Sequence, residues 1–235
     1  MHRLALAPLF LLLGAAAPGD ERVVMVTGFD RLRIDGPFEV DVAPGSPGVT
    51  ITGDRAALDA IAVRVDANTL ILNSGTQSWQ SASGKAASSA RIRVTAPALR
   101  VVQTNGGTML KLAELRGDRI DVSQNGTGRI DIGRVDAQDL SLTLAGSGTI
   151  AVAGSALHTR VRLYGSSSLD AAALTTADAQ LVSGSSGVLA MTVRYNARIS
   201  ATSSGVVRVL GDAKCAVIGQ GPVECADFEK GREAN

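Results

Sequence analysis

His158 is the one histidine beyond the second residue, and it follows an apolar pair, Ala156-Leu157. A Ser-His-Asp triad would have to use it, yet the serines cluster in Gly/Ser corners and no nucleophile-elbow motif accompanies them. No His, Cys or Asp spacing around His158 matches a metal site either. A second set of reactive groups is acidic: Asp118, Asp121, Asp131, Asp136 and Asp139. Two carboxyl groups about 5–10 Å apart are what glycoside hydrolysis needs, and acids on adjacent turns of a β-coil could be that close. Here they alternate with Arg119, Arg129 and Arg134, the composition of a solvated face with ion pairs between neighbouring strands. Sugar subsites also favour stacked aromatics, and the same region offers Tyr164 and Tyr195 alone. Gly126-Thr127-Gly128-Arg129-Ile130-Asp131 touches the calcium-binding nonapeptide pattern once without repeating it. No catalytic residue, metal ligand or cofactor is therefore assigned.

Cys215 and Cys225 complete the reactive inventory. An even cysteine count in an exported chain reads as a bridge, and the intervening segment holds Gly219, Gly221 and Pro222, the turn residues that closing so short a loop requires. The alternative, a redox-active pair, normally has two intervening residues near a helix start. The pair is expected to be a structural disulfide.

The elements that must carry these residues are set by a repeat. Between about residues 99 and 210 a Gly/Ser corner recurs at intervals of about 20 residues, shrinking to about 18 towards the end. It runs through Asn105-Gly106-Gly107, Asn125-Gly126-Thr127-Gly128, Ala145-Gly146-Ser147-Gly148, Gly165-Ser166-Ser167-Ser168, Gly184-Ser185-Ser186-Gly187 and Thr202-Ser203-Ser204-Gly205. Apolar pairs precede each corner (Ile120/Val122, Leu140/Leu142, Val161/Leu163, then Leu181 and Ile199). A second column follows it: Ile130/Ile132, Ile150/Val152, Leu169/Ala171, Val188/Ala190 and Val207/Val209. Alternation at period two marks half-buried strands. A sandwich has no reason to repeat its corner chemistry, whereas a parallel coil stacks equivalent residues about 4.8 Å apart. The fold expected is an all-β solenoid with rungs of about 20 residues. Its corner ladder would be Asn105, Gly107, Asn125, Gly128, Gly148, Gly187 and Gly205, the polar side chains sharing hydrogen bonds up the coil and the glycines allowing positive φ.

The rest of the chain fits an exported protein. Met1-His2-Arg3, the apolar run from Leu4 to Leu13 and Gly14-Ala15-Ala16-Ala17 have the layout of a secretory signal peptide over residues 1–20. The run is short for a membrane anchor, and no second apolar stretch of about 20 residues follows, so no transmembrane segment is expected once the signal is removed. Leu32-Arg33-Ile34, Phe38-Glu39-Val40-Asp41-Val42 and Val49-Thr50-Ile51 read as strands. Asp54 could cap a helix of about two turns through Ile61, and Val63-Arg64-Val65 with Leu70-Ile71-Leu72 reads as a hairpin or as part of a rung. Residues 73–90 lose the pattern. Trp79, in the middle of this small, polar segment, is either a binding aromatic or a staple against the core rim. With a net charge of +1 and no basic stripe, nothing points to nucleic acid.

The segment Phe29-Asp30-Arg31-Leu32-Arg33-Ile34-Asp35-Gly36-Pro37-Phe38-Glu39-Val40-Asp41-Val42 resembles the start of the "putative auto-transporter adhesin, head GIN domain" family. The likeness continues through Val49-Thr50-Ile51-Thr52-Gly53-Asp54, Leu58, Ile61, Val63, Thr69-Leu70-Ile71-Leu72, the Gly-Ser-Gly corners and Cys215-Ala216-Val217 with Cys225. It implies a right-handed parallel β-helix-like domain in an exported bacterial protein, periplasmic or at the cell surface, and carries no catalytic residue set. The name speaks of an autotransporter, but no barrel-like series of alternating strands with aromatic girdles is seen, so a self-borne secretion pore is not expected. The expected organisation is a signal peptide (1–20), one solenoid domain (23–226) and a short charged tail (227–235). The expected role is a non-enzymatic, adhesin-like or structural module that binds an envelope protein or polysaccharide. A carbohydrate-active enzyme on the same scaffold and a scaffold that self-associates through its open coil ends are the alternatives.

Overall fold

Alternating side chains leave each strand with one face to bury, and in this chain the faces close on one another around a single aliphatic interior. The computed structural model describes residues 20–74 and 90–225. Ile120, Val122, Leu140, Leu142, Val161 and Leu163 point inward from one row of strands, and Ile130, Ile132, Ile150 and Val152 from a second; all are buried. Parallel pairing in register stacks them: Ile120 on Leu140, Leu142 on Val161, Ile130 on Ile150. The result is the expected β-solenoid of about 20 residues per turn.

The chain enters through β1 (Asp20–Val24), β2 (Arg31–Asp35), β3 (Glu39–Pro44) and β4 (Gly48–Gly53), then α1 (Arg55–Ala60), β5 (Ile61–Asp66), β6 (Thr69–Ser74) and β7 (Arg91–Ala96). The coils proper follow as β8 (Val101–Asn105), β9 (Met109–Leu112), β10 (Leu115–Gly126), β11 (Arg129–Gly146), β12 (Thr149–Gly165), β13 (Ser168–Ser185) and β14 (Leu189–Ala201). The last coil is built from β15 (Val207–Leu210), β16 (Lys214–Gly219) and β17 (Val223–Cys225). β11, β12 and β13 are long because each continues through more than one face of the coil.

Three faces result. A long face stacks 119–126 on 139–146, 158–165 and 178–185, with β14 and β16 above. A second face stacks β9, 129–132, 149–152, 168–171, 189–192 and β15. A short third face, invisible in the two-column reading, stacks 115–117, 135–137, 154–156 and 174–176, turning Leu115, Val135 and Leu174 inward. Shortening of the repeat happens beside this third face: between β13 and β14 the register jumps from Ala171–Met191 to Thr175–Thr192. The second column needs one correction at the same turn. Leu189 is 1% exposed and Met191 is buried, whereas Val188 is 46% exposed. Leu189, not Val188, stands in register with Leu169 and Val207, because Gly187 occupies the place that Gly128 holds before Arg129.

The amino-terminal coils do not stack in chain order. β2 pairs with β6 on one side and β8 on the other, and β3 likewise with β7 and β9, all parallel. The first coil is thus enclosed between the second and the third. Antiparallel strands then close that end: β5 on β6, β4 on β7 and β1 on β4. The β5–β6 hairpin turns about Ala67, whose φ is +50°. Asp54 caps α1 by accepting from the Ala57 amide at 2.8 Å, and Ala57 and Leu58 bury its inner side. Arg22 donates to the carbonyls of Leu58 and Ile61 at its other end, where orphan carbonyls favour a cation.

At the corners the ladder is chiefly backbone. Thr127, Ser147, Ser166 and Ser186 amides donate to Gly106, Gly126, Gly146 and Gly165 carbonyls one coil below. Asn105 and Asn125 stack in register, but the Asn105 amide bonds down to Asp35 at 2.6 Å while Asn125 is exposed. The buried Ser185 hydroxyl donates to the Ser167 carbonyl at 2.7 Å. Glycine is required for two separate reasons. Gly126 and Gly146 sit at φ +124° and +111°. Gly128, Gly148, Gly187 and Gly205 have ordinary φ, but a Cβ there would collide with Thr108, Gln124, Ser167 and Gly187 of neighbouring coils. Gly107 has neither restriction; its nearest neighbour would be Thr127 Oγ1 at 3.5 Å. The Cys215–Cys225 disulfide joins β16 to β17 with Cα atoms 6.6 Å apart, pinning two faces of the last coil together.

Gly146→Ala is expected to destabilise the protein by about 1–3 kcal/mol, from positive-φ strain and a Cβ 2.6 Å from the Gly126 carbonyl oxygen. Gly107→Ala is expected to be nearly neutral; urea titration of both variants checks the contrast. Replacing both cysteines by alanine should lower stability by about 2–3 kcal/mol, the loop-closure value for a short bridge, read as the loss between non-reduced wild type and the double variant.

Candidate functional site

Outward residues of the long face obey the same stacking rule as the core, so side chains one turn apart in sequence become neighbours in space. Arg119, Asp139, His158, Asp178, Asn196 and Lys214 form one column in register. Two residues on, Asp121, Ser141, Arg160, Gln180, Arg198 and Ala216 form the next. Between them the chain turns small residues inward in the later coils, Thr159, Ala179 and Ala197, all buried. The two columns and this low floor line an open groove of about 1030 Å³ running along the stack.

Neighbouring coils are tied together along each wall of the groove. The Asn196 amide donates to Asp178 at 2.7 Å, and His158 Nδ1 stands 3.6 Å from the other Asp178 oxygen. Arg160 Nε donates to Gln180 at 3.1 Å. Among the described residues Arg119, Arg160, Arg198 and Lys214 make no ion pair. Four cations are therefore presented to solvent along one surface, with the acids Asp121 and Asp139 beside them. Such a surface can offer charge and hydrogen bonds repeatedly along its length, since each coil adds groups at the same spacing as the last.

The structure separates the acids singled out in the sequence. Asp121 and Asp139 line the groove. Asp131 lies on the second face, where Arg129 Nε bonds it at 2.8 Å; the Asp131 carboxylate holds the Arg129 guanidinium above its ordinary range through that hydrogen bond. Asp136 is on the third face, and Asp118 accepts from Gln138 at 3.2 Å. On the second face of the last coil, Arg208 donates to Glu224 at 2.6 Å and holds that carboxyl below the usual carboxylate range. No group of three or more His, Cys, Asp or Glu that could hold a metal ion occurs among the described residues. Trp79 lies outside the described residues, as do the amino-terminal 1–19 and the tail 226–235. No described helix is long and apolar enough to cross a membrane.

His158 and Asp178 meet through a relation that the sequence contains but that motif searching passes over: they are one rung apart. Local spacing rules look for ligands three or four residues away, whereas a coil brings together residues about 20 apart.

A family model described as "Putative auto-transporter adhesin, head GIN domain" matches residues 28–213. Among solved structures, a putative adhesin from Bacteroides fragilis is similar with a TM-score of 0.79 at 19% identity, covering 89% of this chain and 97% of that one. A putative adhesin from Parabacteroides distasonis has a TM-score of 0.65 at 14% identity, covering 87% and 95%. A structure described as a putative lipid binding protein, from the same species, reaches 0.63 at 17% identity over 88% and 96%. At these identities the likeness is one of fold. No curated protein matches the sequence.

Because the groove side chains point away from the core, Arg160→Ala combined with Arg198→Ala is expected to change unfolding free energy by no more than about 0.5 kcal/mol. Thermal and urea unfolding of the double variant beside the wild type checks that these residues are free for another purpose.

Proposed function

The chain belongs to the putative auto-transporter adhesin, head GIN domain family, and from that premise we propose that it is a non-enzymatic, adhesin-like module of the bacterial cell envelope, exported by its amino-terminal signal peptide. Its ligand is an extended envelope polymer, a polysaccharide strand or a chain of similar reach, held along the long-face groove. The observation that carries this reading is the register of the groove: Arg160 and Arg198 stand in one column two coils apart, about 10 Å from each other at the spacing of stacked strands. A repeating polymer can meet such a column at successive units, and each added contact multiplies the affinity. The open form of this groove suits binding along a length rather than capture of one small molecule.

Asp121 and Asp139 on neighbouring coils of the same groove are what favours the second reading, a carbohydrate-active enzyme. Both readings are separated by one experiment. The purified protein is tested against an array of bacterial envelope polysaccharides, with binding measured for wild type and Arg160→Ala/Arg198→Ala, and product chains measured in parallel. The expected result is binding that weakens about tenfold or more in the double variant, with no shortening of the polymer. Chain cleavage that disappears in Asp121→Asn or Asp139→Asn would overturn the non-enzymatic reading, and undiminished binding by the double variant would move the ligand away from the groove. Export is checked separately: the protein recovered from the envelope fraction should begin within about residues 17–21.

A further inference from the structure

The two ends of the solenoid are finished differently. At the amino-terminal end the outermost strands carry charge along their edges: Asp20, Glu21 and Arg22 in β1, Arg64 and Asp66 in β5. Charged edge strands resist pairing with another chain. At the other end β16 pairs with β14 alone and β17 with β15 alone among the described residues. β16 begins at Lys214 and then runs Cys215-Ala216-Val217-Ile218-Gly219 without a further charge. Ile218 is 73% exposed, while Val217 and Val223 are only partly covered, packed against the core from its last turn. The disulfide holds this coil closed at β16 and β17, so the edge is a rigid one.

We propose that the β16 edge is a dimer interface, in which two copies of the chain meet end to end through antiparallel pairing of β16 with itself. The parity of the strand selects the register. Lys214, Ala216 and Ile218 face outward, and Cys215 and Val217 inward. Directly opposed residues of an antiparallel pair point to the same side, so the two-fold axis must pass through a residue. With the axis at Val217, Val217 meets the partner's Val217 on the core side, and Ile218 meets the partner's Ala216 on the outer side. Lys214 then falls opposite the partner's Gln220, and no like charges are opposed. Head-to-tail stacking would instead set this largely apolar edge, whose one charge is Lys214 at its start, against the charged strands of the other end. The association is therefore like-on-like and closes at two copies rather than extending into a filament. It requires no groove ligand, although Lys214 and Ala216 also stand at the last rung of the groove.

Sedimentation equilibrium of the purified, oxidised protein across the micromolar range is the test, with amide hydrogen exchange over residues 214–219. A concentration-dependent dimer with no larger species is expected, and the β16 amides should gain protection as the dimer forms. Ile218→Lys should raise the dimer dissociation constant about tenfold or more, with a thermal midpoint unchanged at concentrations where both proteins are monomeric. Ala216→Lys, at a second exposed position of the same strand, should do the same and serves if the first variant folds poorly. A protein monomeric throughout that range, a dimer indifferent to both substitutions, or open-ended filaments would each overturn the proposal. So would a chain that stays monomeric alone but takes a strand from a different envelope polypeptide at β16.

Discussion

Every feature of this protein answers to one spacing, the roughly 4.8 Å that separates hydrogen-bonded strands stacked in parallel. Since each coil lies in register on the one below, a choice at one position is imposed on the positions above and beneath it. Aliphatic residues must follow aliphatic residues inside, as Ile130, Ile150 and Leu169 do. Where backbone passes closest to backbone, at the corners, even a methyl group has no room above Thr108 or Ser167. Stacking gives the interior its regularity and also sets the tolerance of the outside, where the turn shortens beside the third face rather than at the glycine corners.

The same constraint explains what could be read from sequence. Corners and apolar pairs are legible because they repeat: Gly126, Gly146 and Gly165 announce themselves by position. The third face repeats too, but each turn contributes little more than one large inward side chain, such as Val135 or Leu174. A single apolar residue makes no alternation, so no period-two signal marks it. Val188 falls out of phase for a related reason: a corner written Ser-Ser-Gly admits two phases, and only the partner strands decide between them. The enclosed first coil is beyond pattern reading altogether, because β2 is equally compatible with β6 or β8 as its neighbour and in fact takes both.

For the groove, legibility is intermediate. Arg119, Asp121 and Asp139 are legible as part of a mixed-charge face, whereas Arg160, Asp178, Arg198 and Lys214, which complete the groove, carry no signal in the sequence that sets them apart. What the sequence obscured is which of them share a face, for Asp121 and Asp131 look alike in the chain yet lie on different sides of the coil. A ligand lying on such a surface would meet many weak, solvent-exposed contacts, each modest by itself. Specificity then comes from the pattern of cations and acids along the stack more than from any one side chain, which is why no single motif stands for it.

The enclosed position of β2 and β3 also orders how the molecule is built. A solenoid stacked strictly in sequence lets the first turn form and the rest zip onto it. Here the first turn has both its neighbours later in the chain, one at residues 69–96 and one at 101–112. The nucleus therefore spans the whole amino-terminal half and closes long loops before it gains contacts, a high contact-order start that is slow by nature. Beyond β9 each turn adds locally to a finished template. Turns can be gained or lost over evolutionary time in that second part without disturbing the first, so the length of the groove is free to vary while the foundation is not.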